Sequence, residues 1–151
     1  MSEPLRLIAL DTEDLAIISA NLQDALIKIG DMAYLPRSKR FALVASRFDW
    51  VASVSGKKNE RCETGLHFER VLKVTRTGFD QGASEQNLNL LSIGFTSTDS
   101  PAGQVVLTFS GGAGVRLDVE CLEAQLRDIG PRWTCKACPG HKLDDVAEQI
   151  G

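Results

Sequence analysis

Cys135, Cys138 and His141, spaced C-x-x-C-x-x-H, form the one cluster of soft ligands in the sequence. Two thiolates two residues apart can chelate one tetrahedral metal ion, and a nearby imidazole can supply a third donor. A closed zinc site needs four ligands, and the remaining soft donors, Cys62, Cys121 and His67, are scattered along the chain. A redox pair would belong at a helix N-terminus behind a strand, where the dipole lowers a thiol pKa. Here the pair precedes a Pro-Gly step instead. Zinc is therefore the one cofactor with candidate ligands, and the set reads first as ordinary thiols with no resident cofactor.

Arg37, Lys39 and Arg40 are the candidate ligand-binding residues, and with Lys57, Lys58 and Arg61 further on they make the best basic patch. Their competing reading is a pair of solvated loops. The SGGAG run at 110–114 invites a phosphate-loop reading, but a phosphate cradle joins a strand to a helix N-terminus. This one lies between two strand patterns, where glycines supply positive φ for a reversal. His67 sits between Leu66 and Phe68 with no nucleophile motif beside it, and reads as a rim or satisfied core residue. Asp11, Glu13 and Asp14 are explained by helix capping and the positive helix end. No catalytic residue is assigned, and the enzyme question leans towards no.

The elements that would position these residues follow from hydrophobic periodicity. LRLIAL opens as a strand. DTEDLAIISANLQDAL reads as a helix, with Leu15, Ile18, Leu22, Leu26 and Ile29 on one stripe and a switch to strand near Ala25. Residues 32–50 form a hairpin turning at PRSKR, and 52–65 form an exposed loop. LHFERVLKVTR reads as one long strand with Leu66, Phe68, Leu72 and Val74 on one face, and NLNLLSIGFTS as another with Leu91, Ile93 and Phe95 in phase. Val105, Leu107 and Phe109 pair across SGGAG with Val115, Leu117 and Val119. Leu122, Leu126 and Ile129, followed by Gly130 and Pro131, predict a C-terminal helix over 120–129.

That order predicts an α+β fold of about seven mainly antiparallel strands with one early and one C-terminal helix. A small pleckstrin-homology-like barrel or strongly curved sheet fits it, and another α+β sheet packed on two helices is the alternative. Residues 1–133 form a single domain and 134–151 a tail. The chain's 151 residues suit one domain with an independent core, and 43% apolar and 25% charged residues are ordinary globular values. No apolar run is long enough for a transmembrane segment, and MSEPLRLIALDTED lacks the features of a signal peptide. A cytoplasmic location with reduced thiols follows as the expectation. The net charge of −3 gives no support to nucleic acid as a partner.

The stretches LRLIALDTEDLAIISANLQDA, YLPRSKRFALVASRFDW, TGLHFERVL and LTFSGGAGVRLDVECLEAQLRDIGP resemble an alphaproteobacterial family of short proteins, domain of unknown function 2948. The resemblance covers nearly all of 5–133 and leaves out the Cys-rich tail. It implies a bacterial cytoplasmic protein and carries over no activity, cofactor or site residue. The leading functional reading is a non-enzymatic binding or adaptor module with a protein partner, and self-association stays open. The alternatives are a zinc protein using the C-terminal thiols and a small enzyme whose pocket gathers residues from separate strands.

Overall fold

The computed structural model describes residues 4–48 and 60–134. Strand β1 (Arg6–Ala9) leads into helix α1 (Thr12–Asn21), capped by Asp11, whose carboxylate accepts from the Asp14 amide at 2.8 Å. The helix buries Leu15 and Ile18 and stops earlier than its apolar stripe suggests. Asp24 adopts φ of +63°, a left-handed conformation that asparagine and aspartate tolerate, and its amide bonds to Leu90 instead of continuing the helix. Strand β2 (Leu26–Lys28) then starts just past Ala25.

Nine further strands follow the helix if β2 is counted: β3 (Met32–Leu35), β4 (Arg40–Phe48), β5 (Glu60–Phe68), β6 (Val71–Thr77), β7 (Asn87–Ser97), β8 (Gly103–Phe109), β9 (Gly114–Val119) and β10 (Ala124–Thr134). They form one antiparallel sheet in the order β1-β10-β5-β4-β2-β7-β8-β9-β6, with β3 also paired to β4. Among the described residues the sheet ends at β1 and β6, which do not pair, so of the barrel or strongly curved sheet expected from the sequence the closed barrel does not form. Inner-face residues from both halves, among them Phe41, Leu66, Leu107 and Leu117, join Leu15 and Ile18 of α1 in one buried cluster.

Several sequence expectations are corrected. Among the described residues ten strands form in place of about seven, and residues 60–65 of the predicted exposed loop are the start of β5. Residues 120–129 are not a helix: the chain passes through a short connection into β10, which pairs with both β1 and β5. Leu122 and Leu126 are buried as expected, but Ile129 is 50% exposed on the opposite face. The long strand read over 66–76 is two strands broken at Glu69 and Arg70, where Arg70 has φ of +57°. The break shifts the phase by one residue, burying Val71 and leaving Leu72 exposed. In β7, an irregularity between Leu90 and Ser92 puts Leu88, Leu90 and Ile93 in the core and Leu91 outside. The strand phases of β8 and β9 are as read, and the glycines between them turn the chain with positive φ at Gly111 and Gly112.

Candidate functional site

Alternation along a strand sends successive side chains to opposite faces. With Phe41, Leu43, Leu66, Phe68, Ala124 and Leu126 committed to the core, their neighbours Ala42, Val44, Gly65, His67, Gln125, Arg127 and Ile129 stand on the outer face of β4, β5 and β10. The register aligns them: Ala42 lies opposite His67, Val44 opposite Gly65, and Gly65 opposite Arg127. The small residues Ala42 and Gly65 leave a shallow groove of about 380 Å³. A Cβ placed on Gly65 would lie 3.7 Å from the Cδ1 and Cγ2 atoms of Ile129, so the isoleucine leans over the glycine as one wall.

The charges around this floor divide into satisfied and unsatisfied groups. Arg40 donates from Nε to Glu69 Oε2 at 2.8 Å, and His67 Nδ1 lies 2.6 Å from the same oxygen. Burial opposes ionisation of Glu69, but the hydrogen bonds from Arg40 and His67 outweigh it and hold its pKa below the ordinary value. An ionised carboxylate only accepts, so the Nδ1 of His67 is the donor in this contact. Arg6 and Arg127 differ from this trio. They stand directly opposite one another across β1 and β10, and neither has an ion-pair partner among the described residues. Like charges opposite one another in a sheet are unfavourable unless something neutralises them.

Below the same strands lies a buried polar network. Arg47 donates from Nε and Nη2 to the two carboxylate oxygens of Asp128 at 2.8 and 2.7 Å, and Thr64 Oγ1 and the Leu5 amide each donate at 2.7 Å. Burial raises the Asp128 pKa, but these hydrogen bonds and the Arg47 charge outweigh it and hold the carboxyl at about 2. The network ties the start of the chain to β4, β5 and β10, and so fixes the strands that carry the groove.

Of the candidate site residues that the structure describes, only Arg40 and His67 line this groove. Lys39 closes the β3–β4 turn and pairs with Glu120 at 2.8 Å, Arg40 is held by Glu69, and Arg37 is exposed on the turn. Arg61 is in β5 and buried, donating to the Ser46 carbonyl at 2.8 Å, so it belongs to no solvent patch. Lys57, Lys58, Cys135, Cys138 and His141 lie outside the described residues. Among the described residues no three His, Cys, Asp or Glu side chains gather as a metal site. His67 has an orienting carboxylate, but the groove lining holds no hydroxyl or thiol for it to activate. Sequence reading missed Arg6, Gly65, Arg127 and Ile129, because only the register of three strands distant in sequence brings them together.

The chain belongs to the family described as protein of unknown function (DUF2948), whose model matches residues 5–141. The match extends past 133 and so takes in the segment with Cys135, Cys138 and His141, which the resemblance read from the sequence leaves out. No curated protein and no solved structure matches the chain. Among the described residues, no helix is long and apolar enough to cross a membrane.

Proposed function

We propose that this member of the family is a non-enzymatic binding module whose outer sheet face takes a carboxylate-bearing, partly apolar segment of a partner protein. One observation carries the reading: Arg6 and Arg127 stand side by side on the outer face with no acidic partner among the described residues, next to an apolar groove floored by Ala42 and Gly65. Guanidinium groups present a planar fork that suits carboxylates, and a partner carboxylate would relieve the repulsion between the two arginines. Ile8 and Ile129 are both exposed on this face and supply apolar contact beside the clamp. The net charge of the chain is −3, so a locally cationic face also favours an acidic partner over another copy of this acidic chain.

The test uses a short peptide alternating glutamate and isoleucine, titrated into the full chain and followed through its backbone amide resonances. Saturable shifts are expected at Gly65, Gln125 and Arg127, weakening as salt is raised. Each exposed arginine–carboxylate pair is worth up to roughly 1 kcal/mol, so Arg127→Ser should weaken binding about fivefold. Gly65→Tyr should block the groove outright, because a Cβ at 65 meets only ordinary contacts and the larger ring points into the groove. Shifts that are absent, or unchanged in both variants, would remove the basis of this reading.

A further inference from the structure

A second cleft, sharing no lining residue with the groove, lies where the start of β7 meets β2, the β6–β7 connection and the β8–β9 turn. Its volume is about 370 Å³. Leu88 and Leu90 point into the core, so the alternating Asn87 and Asn89 point outwards, and Gln86 precedes them on the wall. Ser110 and the backbone of Gly111 form the opposite rim. No charged side chain lines the cleft among the described residues.

Three facts argue against treating this as idle surface. Asparagine is a poor strand residue, yet two of them occupy alternate positions at the head of β7, between the buried Leu88 and Leu90. Departures from local preference of this kind concentrate at functional sites. The Oδ1 atom of Asn89 is buried and has no hydrogen-bond partner among the described residues, a destabilising arrangement. Finally, the rim is held in place: Gly78 has φ of +76°, and any Cβ there would overlap Gly112 O, so the β6–β7 connection presses against the β8–β9 turn.

We infer that this cleft binds a neutral, polyhydroxylated small molecule of saccharide type. Each carboxamide offers both donors and an acceptor, and the serine hydroxyl offers both roles, which suits a ligand whose hydroxyl groups also donate and accept. The absence of charged lining residues disfavours phosphates, carboxylates and ammonium groups. The terminal torsion of an asparagine is broad, so Asn89 can turn its unpaired oxygen towards a bound hydroxyl at low cost. The volume falls within the range of small-molecule pockets and is too small for a long oligosaccharide.

The test titrates the full chain with glucose, galactose, N-acetylglucosamine, ribose and inositol, and with the methyl glycosides of the first three, following backbone and side-chain amide resonances. Saturable shifts confined to Asn87, Asn89 and Gly111 are expected with at least one sugar. Equal binding of its methyl glycoside identifies the end of a glycan as an acceptable source; binding of the free sugar alone identifies a free metabolite. Asn89→Leu should weaken that binding at least tenfold while melting at or above the wild-type temperature, because it deletes an unpaired polar group. Asn87→Ala, which removes no core side chain, gives a second variant, and a melting temperature close to wild type separates its loss of binding from unfolding. Absence of saturable shifts across the whole panel, tighter binding of glucose 6-phosphate than of glucose, or wild-type binding by both variants would overturn the inference.

Discussion

Asp128→Asn should destabilise the protein strongly at neutral pH and much less in acid. The carboxylate accepts two hydrogen bonds from Arg47, one from Thr64 and one from the Leu5 amide, with the Arg47 and Asp128 side chains only 4% and 2% exposed. Removing one partner of such a pair leaves a buried guanidinium without its counter-charge, which costs about 3–5 kcal/mol. The pH dependence follows from the folded-state pKa of about 2 against an ordinary value of 3.8. A depressed carboxyl contributes stability above its unfolded pKa and loses it as pH falls through the folded one. Here that contribution is about 2.5 kcal/mol at pH 7, is intact down to roughly pH 5, and is nearly gone by about pH 2. Urea unfolding followed by far-ultraviolet circular dichroism at both ends of that window should therefore show the gap between wild type and Asp128→Asn narrowing by about 2 kcal/mol. A gap that stays constant from neutral pH to pH 2 would refute the assignment of this carboxylate as the ionised centre of the network. Replacing Arg47 and Asp128 together by Met and Leu should recover much of the single-variant loss, since apolar residues of similar volume remove both desolvation costs.

Three further outcomes are expected. Leu126→Ala should cost about 2–5 kcal/mol in chemical denaturation, because its side chain is fully buried in the core beneath β10. Gly103→Ala should destabilise by about 1–3 kcal/mol, since the added Cβ would overlap the Phe95 ring, while Gly94→Ala meets no atom within 4 Å and should be neutral or slightly stabilising in the same melting assay. Protein purified without chelator should carry well below one zinc per chain by elemental analysis, because Cys135, Cys138 and His141 make an incomplete tetrahedral set; near-stoichiometric zinc lost in Cys135→Ser with Cys138→Ser would reverse this expectation.

Local signals made much of the fold legible. The Asp11 cap, the PRSKR turn and the alternating valines, leucines and phenylalanine of β8 and β9 act within a few residues, and each is where the sequence puts it. Errors arose where a tertiary contact overrode a local pattern. Arg70 turns left-handed with its neighbours bonded across to Glu123 and Lys39, and that break could not be read from a run with no glycine, proline or asparagine to mark it. The groove was illegible for a related reason. Arg6 and Arg127 are 121 positions apart, and only the pairing of β1 with β10 makes them neighbours.

The misread helix at 120–129 has the most specific cause. Leu122, Leu126 and Ile129 recur at the spacing of one helical face, and Gly130 with Pro131 imitates a helix stop. In the folded chain that stripe is a composite of two faces. Leu126 is core, Ile129 is half exposed on the outer face over Gly65, and Leu122 precedes the strand altogether. Residues 124–127 show the alternation of a half-buried strand, with Ala124 and Leu126 inward and Gln125 and Arg127 outward, and the next two invert its polarity, Asp128 turning inward to Arg47 and Ile129 outward. The apolar residue that breaks this alternation is also the one that walls the groove. An isoleucine spent on a solvent-facing strand position contributes little to the core and exposes surface that water disfavours. Its place beside Arg127, which has no acidic partner among the described residues, suits the acidic, partly apolar segment proposed as the ligand. The same side chain that counterfeits a helix in the sequence thus marks the surface on which the proposed function rests.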